Sequence, residues 1–205
     1  MPSKQRLKQT ADGISLMAFF TLLWAIVAEI ALQRRDHYML GVFFLTVIIV
    51  LIIYYRRFNN AERKLPMAPE PRAGGLPAGK DTEEKTRNKG FIILVAAEAL
   101  AILLIKNIFA NTGLDAYFIP CFALIVGLHF FPLGKIFHRS FDYYMGSWTS
   151  LVAIAGIVLT YEQSWPVYLI TAMVAGGCAL ATSLYGVMMI LRGHRIVYDT
   201  SISIH

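Results

Sequence analysis

Charge is scarce in this chain. Asp, Glu, Lys and Arg together make up 16% of its 205 residues, while hydrophobic residues make up 57%. Mean hydropathy is +0.55. Soluble domains carry about 25% charge, so a chain of this size and composition has too little polar surface for water. Cysteine is nearly absent. Cys121 and Cys178 both fall inside apolar runs, which excludes a disulfide-stapled secreted module and fits two small packed side chains. The composition also excludes a disordered chain, a coiled coil and a collagen-like rod. Catalytic signatures are missing too. No His-Glu-x-x-His or Gly-x-Ser-x-Gly occurs, and His37, His129, His138, His194 and His205 lack metal-ligand spacing. The balance leans away from an enzyme, and no metal or cofactor is expected.

What the sequence has instead is long apolar runs. A membrane-crossing helix needs about 20 mostly apolar residues, at about 1.5 Å of rise each, to span about 30 Å of hydrocarbon. Six stretches qualify: Gly13–Leu32, Tyr38–Tyr55, Gly90–Phe109, Tyr117–Phe137, Tyr143–Tyr161 and Trp165–Leu191. They are too long and too uniformly apolar for barrel strands. The first run also exceeds the 7–15 residues of a signal peptide core, so an uncleaved helix is expected. The fold class is therefore all-α, a polytopic membrane protein with a bundle of six transmembrane helices.

The basic residues orient that bundle. Three precede span one, nine lie between spans two and three, two flank the span four–five turn, and two follow span six. All of these share a side with the N-terminus; only Arg34, Arg35 and Lys106 lie opposite. The asymmetry predicts both termini in the cytoplasm, in a multi-pass protein of the cytoplasmic membrane. Aromatic residues at the predicted interfaces, such as Tyr54–Tyr55 and Tyr143–Tyr144, agree. The net charge of +6 thus reports topology and contact with anionic lipid at the inner face, not nucleic acid.

Residues Phe58 to Lys89 form the one long polar stretch, rich in Pro, Gly and mixed charge, and read as a mobile cytoplasmic linker. Gly74-x4-Gly79-Lys80 resembles a P-loop start, but Asp81 replaces the Mg²⁺-binding hydroxyl and no strand is predicted before it. Glu83-Glu84-x-x-Arg87 sits in the aqueous linker, so it has almost no weight as an intramembrane protease motif.

Function is sought among the polar residues inside the spans, where a charge at the bilayer centre costs about 2.5–3.5 kcal/mol on insertion scales. Glu98 falls within about 3 Å of the middle of span three, and His129 about 3 Å from the middle of antiparallel span four. The two are expected to pair and to form a substrate- or proton-binding centre. Glu29 and Lys106 fall at a similar outer level and are expected to support it as an ion pair, with snorkelling of Lys106 to the headgroups as the other option. Pro120 and Pro132 are expected to kink span four. Asn107, Asn111 and Asp115 cluster near its outer turn, either as a vestibule or as loop solvation. Small residues recur at four-residue spacing in spans five and six, as at Gly146–Ser150, which favours tight internal packing and leaves a homo-oligomer open.

The segment Gly127-Leu128-His129-Phe130-Phe131-Pro132-Leu133, with Glu98 upstream, resembles a pattern in small uncharacterised bacterial integral membrane proteins. The likeness covers roughly spans three to six. It implies a six-helix bundle and, since no activity is assigned to that family, no catalytic residues. Two functions follow as expectations. One is a small transporter or channel in which Glu98 binds a proton or cation and His129 relays it. The other is a structural, sensor or assembly protein in which the same pair is a packing clasp. The ligand is unknown.

Overall fold

The computed structural model describes residues 3–33, 35–64, 79–137 and 139–202. The described residues form six α-helices: α1 (Ser3–Leu32), α2 (Met39–Lys64), α3 (Gly79–Thr112), α4 (Phe118–Phe137), α5 (Ser140–Tyr161) and α6 (Val167–Ile202). A 3₁₀ turn, Asp115–Tyr117, leads into α4. All six helices are long and apolar enough to cross a membrane. A helix pairs all its backbone groups internally, which is why such apolar runs adopt it.

Helix α6 is the centre of the bundle. It packs against α1, α2, α5 and α4, and its residues Val174, Ala175 and Ala179 are fully buried. Helix α3 lies at the opposite extreme. It packs chiefly against α4, and its apolar segment has no buried residue. The chain is therefore a five-helix body with one helix laid along its flank.

The helices extend past the apolar runs. Helix α1 begins at Ser3 rather than near Gly13, and α6 continues to Ile202. Helix α2 continues through Phe58–Lys64, and α3 starts at Gly79, so both ends of the expected linker are helical. Its residues 65–78 lie outside the described residues. The physical reason is packing. Leu7, Ala11 and Phe58 are buried where the ends of α1, α2 and α6 meet. The Phe58 ring presses on Gly193, a place with no room for a β-carbon. Lys4 and Glu62 form an ion pair at 3.9 Å across the same ends.

Of the two prolines in α4, only Pro132 lies inside the helix. Pro120 sits in the first turn, where an amide has no intrahelical acceptor, so it breaks no hydrogen bond there.

Candidate functional site

Glu98 and His129 meet. Glu98 Oε2 lies 3.0 Å from His129 Nδ1, with the side chains 20% and 10% exposed. The separation is that of a hydrogen bond, but His129 Nδ1 has no partner in hydrogen-bonding alignment among the described residues. The contact is thus a close polar approach with poor direction. The geometry around it follows from helix register. Phe91 and Phe137 stack edge-on at 5.9 Å between ring centroids. Seven residues up α3 and eight down α4 lie Glu98 and His129, as antiparallel neighbours require. Gly113, at φ +72°, turns the chain between them at the far end, where the Leu114 amide donates to the Phe109 carbonyl.

Helix α4 is held on its other side by α5. A β-carbon at Gly127 would lie 2.6 Å from Ser150 Oγ and 2.8 Å from the Ser150 backbone nitrogen. The spacing Gly146-x3-Ser150 permits this approach, since Gly146 faces the Gly127 carbonyl. His129 is two residues beyond Gly127, about 200° further around α4. One face of α4 is thereby locked to the body, and the opposite face carries the histidine that receives α3. Leu128, four residues before Pro132, has a carbonyl freed of its helical partner next to His129.

Glu29 and Lys106 are not brought together. The Gly41 backbone amide donates to Glu29 Oε1, so Glu29 closes the start of α2. Its other oxygen, Oε2, is buried without a hydrogen-bond partner among the described residues. Asp36 caps the same helix start by accepting from the Tyr38 and Leu40 amides. Lys106 is exposed on α3, which packs on α4 and not beside α1. Residue counting gives the two a common level, but they stand on helices that do not pack together. The Asn107 and Asn111 side chains bond to each other on exposed α3, with Nδ2 of Asn111 also donating to the Asn107 carbonyl.

Two buried polar contacts have no counterpart in the sequence reading. The Tyr185 hydroxyl donates to Asp142 Oδ1 at 2.6 Å, with Asp142 3% and Tyr185 5% exposed. Arg139 lies near both. Asp142 stands in the first turn of α5, where the helix dipole favours an anion, and that position was the available signal. The hydroxyls of Thr21 and Thr182 lie 2.9 Å apart in the α1–α6 interface. Threonine hydroxyls usually bond their own helix, as Thr182 also does to Cys178 and Ala179, so the cross-helix bond had no sequence signature.

Among the described residues, no group of three or more His, Cys, Asp or Glu is placed to hold a metal ion. The helix start at Gly79 does follow the Gly74-x4-Gly79-Lys80 segment, but no strand occurs among the described residues to frame a phosphate cradle. Compared with protein-family models, curated proteins and solved structures, the chain matches none, so the likeness noted at Gly127–Leu133 assigns no family.

Proposed function

We propose that the chain is a multi-pass protein of the cytoplasmic membrane, with both termini inside, that serves as a sensor or assembly component. In this reading Glu98–His129 is the clasp that docks α3 on the five-helix body. The observation that carries it is the position of the pair. Among the described residues it sits on the main seam that holds α3, with Gly127 locking the opposite face of α4 to α5. With one proton between them the two side chains are neutral as a unit, which reduces the cost of each inside hydrocarbon. Removing either partner leaves the other uncompensated. Breaking a buried pair in this way is costly, on the order of 3–5 kcal/mol when fully enclosed. The partial exposure of both groups lowers that figure.

A transport function is the second reading. It is favoured by the unaligned His129 Nδ1 and by the carbonyl freed by Pro132 one residue away, which together leave polar capacity for a proton or cation. One experiment separates the two. The full chain and Glu98→Gln are reconstituted in vesicles with an entrapped pH dye, and cysteines replacing Phe91 and Phe137 report α3 docking through a bifunctional thiol reagent. The clasp requires that Glu98→Gln reduce cross-linking while proton flux stays at the level of empty vesicles. A flux that the wild type supports and Glu98→Gln abolishes, with cross-linking intact, would establish transport instead.

A further inference from the structure

A groove of about 180 Å³ runs between α1 and α2 on the outside of the bundle. Its floor is Ala18 and Ile48, both buried, and its walls include Phe19, Leu22 and Ile52, all exposed. Ser15 and Tyr55 line it as its polar members. Ser15, Phe19 and Leu22 follow a spacing of four and three residues, and so do Ile48, Ile52 and Tyr55. Each set is therefore one stripe of its helix, and the two helices run antiparallel, so Ser15 and Tyr55 close the same end. Seven residues of helix make the apolar part about 10 Å long, which fits within the hydrocarbon half of one leaflet. Past that end stand Lys8, seven residues or about 10 Å before Ser15 on the same α1 stripe, and Arg56, which follows Ile52 by four residues at the edge of the α2 stripe; both are exposed.

We infer that this groove seats one acyl chain of an anionic phospholipid, with the phosphate held at the Ser15–Tyr55 end by Arg56 and Lys8. The inference rests on the membrane-spanning reading above but not on the Glu98–His129 clasp. Three features select this occupant. The groove is apolar along its length, it ends in hydroxyls at the depth of an ester and phosphate, and two cations lie past that end, Arg56 next to Tyr55 and Lys8 about 10 Å beyond Ser15. Asp12 shares the α1 stripe with Lys8 and Ser15 and is exposed. It opposes a phosphate there and sets the sign of one arm of the test.

The full chain is released from nanodiscs of equal phosphatidylglycerol and phosphatidylcholine, and retained lipid is counted by native mass spectrometry. One phosphatidylglycerol per chain is expected, held in preference to phosphatidylcholine. A cation at the surface contributes about a fivefold preference, so Lys8→Gln with Arg56→Gln should lower it about 25-fold. Asp12→Asn should raise it. Ser15→Phe, at an exposed position, fills the groove and should remove retention of either lipid; Leu22→Trp serves as a second filling variant should Ser15→Phe not fold. Equal retention of the two lipids, or phosphatidylglycerol retention that survives filling of the groove, overturns the proposal in favour of a diffuse basic collar. A dimer mass appearing in place of the lipid-bound monomer would overturn it in favour of a second copy of the chain.

Discussion

Replacing Gly127 with alanine tests how α4 is held. The added methyl would lie 2.6 Å from Ser150 Oγ, 2.8 Å from its backbone nitrogen and 3.2 Å from its Cα. The last two belong to the α5 main chain, so no side-chain rotation relieves them. The helices must separate by several tenths of an ångström, breaking the Gly146–Gly127 carbonyl approach at the same seam. Overpacking of this kind costs about 1–3 kcal/mol, against about 1 kcal/mol gained from the better helix propensity of alanine. A net loss of about 0–2 kcal/mol is therefore expected, which places Gly127→Ala about 1–3 kcal/mol below an unhindered glycine-to-alanine change. Gly176→Ala is the control, because its nearest neighbour would be Leu40 Cδ2 at an ordinary 3.8 Å, and it should be neutral or stabilising. Reversible unfolding in mixed micelles measures both. Ser150→Ala removes only the hydroxyl, the nearest of the three contacts, and should restore Gly127→Ala in part. If Gly127→Ala were as stable as Gly176→Ala, the α4–α5 seam would not be the close backbone contact described.

Three further substitutions probe polar contacts and the helix ends. Tyr185→Phe strips Asp142 of its donor, so unfolding measurements should show a loss of about 1.5–3 kcal/mol, as for hydrogen bonds to charged groups. Thr21→Val should cost only about 0.6 kcal/mol in the same assay, because Thr182 keeps its bonds to Cys178 and Ala179 within its own helix. Phe58→Ala removes a ring that is 2% exposed. It should cost about 3–5 kcal/mol and make the ends of α1, α2 and α6 sensitive to protease, whereas the exposed Arg63→Ala should not.

The fold was legible wherever one physical rule dominates. Apolar runs of bilayer length have few alternatives to a helix, and each predicted span falls on one of the six helices, within about three residues at the short turns, as at Tyr38 and Trp165. The pairing of Glu98 with His129 was legible for the same reason. A short connection makes α3 and α4 antiparallel neighbours, and residue counting then fixes depth. Glu29 and Lys106 show where counting ends. Counting assigns them one level, but α1 and α3 do not pack together, and depth carries no information about position around the bundle. The linker reading erred at its edges because Phe58 looked like the start of a polar tract. Its burial depends on Gly193, which lies far away in sequence. Asp142 was overlooked because a carboxylate near a predicted interface needs no partner, and only the arrival of Tyr185 from α6 makes it a buried one.

The clasp itself is tested most directly by a double-mutant cycle on unfolding free energy, with Glu98→Gln, His129→Gln and the pair. Contacting residues that act as one unit should show a coupling of at least about 1 kcal/mol, with the double variant close to the worse single one. Additive losses within about 0.3–0.5 kcal/mol would mean that the two side chains stand side by side without holding α3 to the body.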